Sequence, residues 1–108
     1  MNDLFSTLKT LRHDFHSDPE LGFQEMRTKT RVADFLRNLG LEVHEGVGVV
    51  GVLRNGGGNR VIGLRADMDA LPICEKNGFD HVSQNAGVMH ACGHDGHMSM
   101  LLRAAMTL

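Results

Sequence analysis

A short stretch near the end of the chain carries side chains that could bind a metal ion. His90, Cys92, His94, Asp95 and His97 fall within eight consecutive positions. Imidazole and thiolate ligands together suit Zn²⁺ and its transition-metal neighbours rather than Mg²⁺ or Ca²⁺. The pattern therefore predicts a transition-metal site, and the alternative is a capped helix start with surface histidines.

The spacing of Cys92 and His94 predicts that both lie on a loop. Residues two apart do not share a helix face, but they can share one side of an extended or turn segment. We therefore expect this pair to precede a helix, with Gly93 bending the backbone and Asp95 as the N-cap. The positive end of that helix would favour a Cys92 thiolate.

A second polar segment follows an apolar run. Asp67 and Asp69 come shortly after residues 61–64, and ligands in open α/β sheets collect at the carboxyl ends of strands. Carboxylates there can bind a metal or orient a metal-bound histidine, while the alternative is a polar strand end leading into a turn. We expect Cys92 and His94 to converge within reach of Asp69.

The remaining ligand-type residues are interpreted as structural. His13 and His16 flank Phe15 on the first predicted helix, where packing and hydrogen bonding at a helix end explain them. Cys74 fits no redox motif and is interpreted as an ordinary thiol. The other two histidines, His44 and His81, are expected to be exposed.

Apolar residues recur at helical spacing in three stretches, which predicts three helices. The stretches run from Leu4 to Phe15, from Val32 to Leu39 and from Met98 to Leu108. Pro19 would end the first helix, because the residue before proline avoids helical geometry. Gly40 would follow the second helix, at a position that needs a positive φ.

Short β-branched stretches between the second and third helices predict three strands. They lie around Val43, over 47–53 and over 61–64, and the last two are apolar enough that we expect both faces to be covered. The glycine-rich turn 54–59 could join a hairpin, and 66–91 should be an irregular loop. The fold class expected is α/β.

Composition excludes several function classes. The 108 residues form one domain or part of one, and the net charge of −2 without Trp or Tyr gives no case for nucleic acid. No apolar run approaches the roughly 20 residues of a membrane-spanning helix, and no signal peptide is visible. Two cysteines do not make a disulfide framework, so a reducing cytoplasm is the expected compartment.

Four stretches together resemble a known family. They are 16–25, 51–53, 64–72 and 87–97, and in this order the chain resembles the N-terminal part of the M20 peptidase/aminoacylase family, in its amidohydrolase branch. The resemblance implies a metal-dependent hydrolase of N-acyl amino acids that uses two divalent ions such as Zn²⁺, Mn²⁺, Co²⁺ or Ni²⁺. It also implies that residues 1–108 are the N-terminal portion of a helix-flanked, mixed-sheet catalytic domain.

The resemblance assigns roles to particular residues. Cys92 and His94 match the metal ligands, with Cys92 bridging the two ions, and Asp69 matches the catalytic-site aspartate that orients the metal site. Asp67 stands where other branches carry a ligand histidine. Family members are several times longer, and their general-base glutamate, further histidine ligands and lid match nothing in these 108 residues. We therefore expect weak metal binding and no appreciable hydrolysis by this chain alone.

Three interpretations remain open from sequence. The first is a portion of an amidohydrolase. The second is a catalytically inactive metal-binding or interaction module, associating with a complementary C-terminal piece or with copies of itself. The third is a structural zinc site of Cys92, His94 and two of His90, His97 or Asp69. Such sites usually contain two or more cysteines, which counts against the third.

Overall fold

The computed structural model describes residues 2–108 and has an α/β fold of three helices and one hairpin. The elements in order are α1 (Asn2–Ser17), α2 (Met26–Asn38), β1 (Glu42–Glu45), β2 (Val49–Val52) and α3 (His94–Thr107). β1 and β2 pair antiparallel, with Glu42 opposite Val52 and Glu45 opposite Val49. The three predicted helices and the first two predicted strands are therefore confirmed.

The core lies where the three helices meet. Each helix contributes two buried side chains at helical spacing, so that one apolar stripe from each faces the same centre. These side chains are Leu11 and Phe15 from α1, Val32 and Leu36 from α2, and Met98 and Leu102 from α3. The first and last helices of the chain therefore pack together, and this brings the motif around Cys92 back onto the N-terminal part of the chain.

The end of α2 follows the predicted glycine signal. Gly40 has a φ of +87°, and its N–H donates to the carbonyl of Arg37 at 2.9 Å. The N–H of Leu41 donates to the carbonyl of Leu36 at 3.2 Å, which completes a Schellman motif. This turn sends the chain back along α2 into β1.

The hairpin packs closely on α2 through a glycine. A Cβ at Gly51 would lie 3.0 Å from Leu36 Cδ1 and 3.1 Å from Leu41 Cδ2, closer than side-chain carbons normally approach. Gly51 therefore allows β2 to lie against the helix.

The predicted third strand does not form within the described residues. The expectation of two covered faces is wrong for 47–53, where Val50 is 59% exposed, and for 61–64, where Val61 and Ile62 are 93% and 85% exposed. Residues 61–64 also have no strand partner. A strand needs a neighbour to accept and donate its backbone hydrogen bonds, and this segment has none among residues 2–108. The hairpin is closed by residues 46–48, not by the glycine-rich turn 54–59.

The long segment between β2 and α3 is irregular, as predicted for 66–91, but it is bonded to the connector between α1 and α2. Backbone bridges join Leu21 to Ala70 and Leu71 to Met89. The Asn85 side-chain amide donates to Asp18 Oδ1 at 3.0 Å and to the Pro19 carbonyl at 2.8 Å. None of the described helices is long and apolar enough to cross a membrane.

Candidate metal centre

The helix that carries the motif begins two residues earlier than predicted. Gly93 occupies the N-cap position with a φ of +90°, and His94 is the first residue of α3. Cys92 lies before the helix as expected, whereas the placement of His94 outside the helix and of Asp95 as N-cap is wrong. Glycine reaches the left-handed region at little cost, so the chain turns into the helix at Gly93 rather than at the aspartate.

The imidazole of His94 is anchored on Asp69. Its Nδ1 lies 2.8 Å from the Asp69 backbone oxygen and 3.0 Å from Asp69 Oδ1. A backbone carbonyl only accepts, so Nδ1 carries the hydrogen and the neutral ring keeps its lone pair on Nε2. Metal-binding histidines are typically held this way, with one nitrogen donating to a carbonyl or carboxylate and the other free for the ion.

Asp67 lies on the free side of the same ring. Its Oδ2 is 3.8 Å from His94 Nε2, which is too far for a hydrogen bond. An ion about 2.0–2.2 Å from nitrogen and oxygen ligands could contact both atoms across such a gap. The guanidinium of Arg65 pairs with the other oxygen of Asp67. Imidazole and carboxylate donors therefore fit a transition-metal ion here.

The described residues do not form a complete metal shell by themselves. Within 2–108, no group of three or more histidine, cysteine, aspartate or glutamate side chains is arranged to hold an ion by itself. Cys92 is an exposed free thiol one residue before the N-cap of α3. Its convergence with His94 near Asp69, and the roles of all three residues, stay predictions.

His90 is buried beneath this motif without polar partners. Its ring is 4% exposed, and neither Nδ1 nor Nε2 has a hydrogen-bond partner within the described part of the chain. Burial lowers the pKa of His90 and favours the neutral ring. Sequence reasoning considered His90 only as an optional zinc ligand, and its spacing gave no sign of this burial.

A buried charge network beside α3 was not predicted. His16 Nδ1 lies 2.8 Å from Asp95 Oδ2, and its Nε2 lies 2.9 Å from Glu75 Oε2. All three side chains are at least 96% buried. The expectation of hydrogen bonding at His16 is confirmed, but its partners are 79 and 59 residues away, and no local pattern indicates them.

The other histidines of this region form a stack. His81 lies between His13 and Phe79, with ring centroids 3.7 Å and 3.9 Å apart, and the rings are nearly parallel. It is half-buried rather than exposed as expected, and this burial, together with the charges of His13 and His16, lowers the pKa of His81. His44 is exposed, as predicted.

The chain is similar to known proteins over nearly its whole length. Residues 63–108 match the family described as Peptidase family M20/M25/M40. Hippurate hydrolase of Campylobacter jejuni is 50% identical, over 98% of this chain and 28% of that protein. N-acyl-L-amino acid amidohydrolase of Geobacillus stearothermophilus is 48% identical, over 87% of this chain and 26% of that protein.

A solved structure has the same fold. The YxeP protein of Bacillus subtilis, described as a dinuclear metal binding peptidase from the M20 family, superposes with a TM-score of 0.95 at 35% identity. The match covers all of this chain and 32% of that one. The chain thus spans about a quarter of the length of the curated relatives. Motif, fold and sequence all match the M20 peptidase family, over part of the length of its members.

Proposed function

We propose that this chain contributes part of the metal site of a hydrolase that cleaves the amide bond of N-acyl amino acids. The observation that carries the proposal is the His94 ring, held through Nδ1 by Asp69 with Nε2 free beside Asp67. The names of two relatives, hippurate hydrolase and N-acyl-L-amino acid amidohydrolase, support the substrate class.

Each residue of the site has a distinct role in this proposal. His94 and Cys92 hold the metal, and Asp69 fixes the tautomer and direction of His94. The N-terminal end of α3 favours the thiolate of Cys92 by its positive potential. Two divalent ions, drawn from Zn²⁺, Mn²⁺, Co²⁺ and Ni²⁺, would polarise the amide carbonyl and lower the pKa of a bound water. The structural neighbour is described as dinuclear, which supports the proposal of two metal ions.

In this proposal the general base and most of the substrate pocket lie outside these 108 residues. A complementary C-terminal piece would supply them, and a second copy of the chain is the alternative partner for its exposed apolar surface. Two features support a partner: the exposed apolar segment 61–64, and a groove of about 970 Å³ lined by α2, β2, α3 and that segment. Two free thiols, Cys74 and Cys92, support a reducing, cytoplasmic location.

A chimera tests the function. The matching 28% of the Campylobacter jejuni hippurate hydrolase is replaced by this chain, and hydrolysis of hippurate is measured with added Zn²⁺ or Mn²⁺. We expect turnover that falls at least about 100-fold with His94→Ala or Cys92→Ser, because each removes a ligand of the catalytic metal. Cys74→Ser, on an exposed thiol outside the site, is the matched control and should keep full activity.

Two outcomes would contradict the proposal. One is a folded chimera whose His94→Ala variant hydrolyses hippurate as fast as the unsubstituted chimera. The other is a folded chimera that binds metal through His94 and has no hydrolytic activity, which would favour the alternative of a metal-binding or interaction module.

A further inference from the structure

We propose that His16 is a positioning residue for the metal site: it ties Asp95 in the first turn of α3 to Glu75 and thereby holds His94 on Asp69. The proposal rests on the proposed function in one respect, namely that His94 is the residue being positioned for a metal. The contacts themselves do not depend on that function: His94 and Asp95 are consecutive residues, and His94 is bound by Asp69 whereas Asp95 is bound by His16.

The His16 ring is bound at both ends. Its two nitrogens face carboxylate oxygens of Asp95 and Glu75 at 2.8 Å and 2.9 Å. Carboxylates only accept, so an imidazolium satisfies both contacts with two charge-assisted hydrogen bonds. Arg12 Nε lies 3.4 Å from Asp95 Oδ2 and places a positive charge beside this buried carboxylate.

Glu75 is a fixed anchor for this ring. Its carboxylate accepts from the backbone N–H of Ser83 at 2.7 Å and from the Asn77 amide at 2.8 Å. Burial raises the pKa of Glu75, but the hydrogen bonds from Asn77, His16 and Ser83 outweigh it, so that the pKa is lowered overall. Glu75 therefore stays ionised and gives His16 a fixed partner on the irregular segment.

The segment 69–75 holds two consecutive residues of α3 in place. Asp69 contacts His94 directly, and Glu75, six residues further along, contacts Asp95 through His16. Asp95 is further fixed by its helix, where Ser99 Oγ donates to its carbonyl at 2.6 Å. With Asp95 fixed, the first turn of α3 cannot rotate, and the Nδ1 of His94 stays on the Asp69 carbonyl. Without His16, Asp95 would lose its link to Glu75, and the direction of the His94 ring would depend more on the contact with Asp69.

The direct readout is the tautomer of His94 in the metal-free 108-residue chain, measured by ¹⁵N NMR of the imidazole. We expect His94 to be mainly the Nδ1–H tautomer, since Nδ1 donates to a backbone carbonyl. His16→Gln should raise the Nε2–H fraction several-fold, because Gln cannot span two carboxylates. His13→Gln, on the same helix without contact to Asp95, should leave the tautomer unchanged.

General loosening of the fold needs its own control. Leu11→Ala removes a core side chain from α1 without touching the charge network, and should lower stability while the His94 tautomer stays as in the parent chain. If His16→Gln fails to fold, Glu75→Gln keeps an acceptor oxygen but removes the charge, and should shift the tautomer in the same direction by less.

A measurement of Co²⁺ affinity distinguishes the positioning role of His16 from the metal-binding role of His94. Loss of a residue that orients a ligand typically weakens metal binding about 10–100-fold, so we expect Co²⁺ titration of His16→Gln to show a loss in that range. Folded His16→Gln or Glu75→Gln with an unchanged His94 tautomer and unchanged Co²⁺ affinity would overturn the positioning role. A shifted tautomer in a chain that binds no Co²⁺ through His94 would support the positioning role and contradict the metal function.

Discussion

At the scale of single residues, Glu20 caps a helix from a distance. α2 begins after Glu25, whose side chain makes no capping hydrogen bond. Glu20 instead accepts from the N–H and hydroxyl of Thr28 at 2.6 Å and 2.7 Å, and from the N–H of Arg27 at 3.1 Å. Burial raises the pKa of Glu20, but these donors outweigh it and the pKa is lowered overall.

The sign of the pH dependence follows from that lowered pKa. A carboxyl whose pKa is lower in the folded state stabilises the fold above its unfolded pKa, and the contribution is lost as pH falls through the folded value. Glu20→Gln should cost about 1–2 kcal/mol in free energy of unfolding at pH 7. Urea unfolding should show this difference shrinking as pH falls below 4.5, the ordinary glutamate pKa. Glu25→Gln is the matched control, and an equal loss there would contradict the assignment.

The two cysteines give a prediction about the metal site. Co²⁺ bound to the parent chain should show thiolate-to-metal charge-transfer absorption that disappears with Cys92→Ser and persists with Cys74→Ser. Binding should weaken as pH falls, because a thiol must lose its proton to become a ligand. Absorption titration of both variants is the measurement. A signal carried by Cys74 would show that the metal residues have been assigned wrongly.

At the scale of elements, the close contact of β2 with α2 depends on one glycine. Gly51→Ala would place a Cβ about 3.0 Å from Leu36 and Leu41, so the hairpin must move or the core side chains must shift. We expect a loss of about 1–3 kcal/mol, measured by chemical unfolding. Gly46→Ala, in the same hairpin with open space at its Cβ, should change stability far less. Equal effects of the two substitutions would refute the packing argument.

How far sequence predicts an element depends on where its partners are. The three helices were predictable because their apolar stripes and the glycine after α2 are local signals. The third strand was not, since Val61, Ile62 and Leu64 favour strand but find no pairing partner within residues 2–108. The same holds for the candidate site. Its ligand types could be predicted from the motif, whereas the buried contact of Asp95 with His16 could not, because the two residues are 79 positions apart.

At the scale of the whole molecule, an exposed apolar surface is left beside the candidate site. Val61 and Ile62 are almost fully exposed and Leu64 is 57% exposed. Exposed apolar stretches of this kind usually contact a partner or cause association. The chain alone should therefore self-associate with rising concentration, measured by analytical ultracentrifugation. Val61→Lys with Ile62→Lys should restore the monomer, and Phe5→Lys, at an exposed site on α1, is the control expected to restore it less.

The chain alone should not hydrolyse N-acyl amino acids at an appreciable rate. In the proposed function the general base lies outside these residues, and loss of such a group typically lowers the rate about 10²–10⁴-fold. The measurement is release of the amino acid from N-acetyl or N-benzoyl substrates by the metal-loaded chain. Turnover near roughly 10 s⁻¹, ordinary for an enzyme, would refute this expectation and the placement of the general base outside these residues.

Because α1 packs against α3, the ribosome makes these two parts of the core at different times. Phe15 packs against Met98 and Leu102, so its partners are translated about 80 residues later, which takes about 4–16 s at roughly 5–20 residues per second. Through that interval the apolar stripe of α1 leaves the ribosome uncovered. The nascent chain is thus a natural substrate for chaperones that bind apolar segments, and its final fold can form only after the helix with the metal motif has emerged.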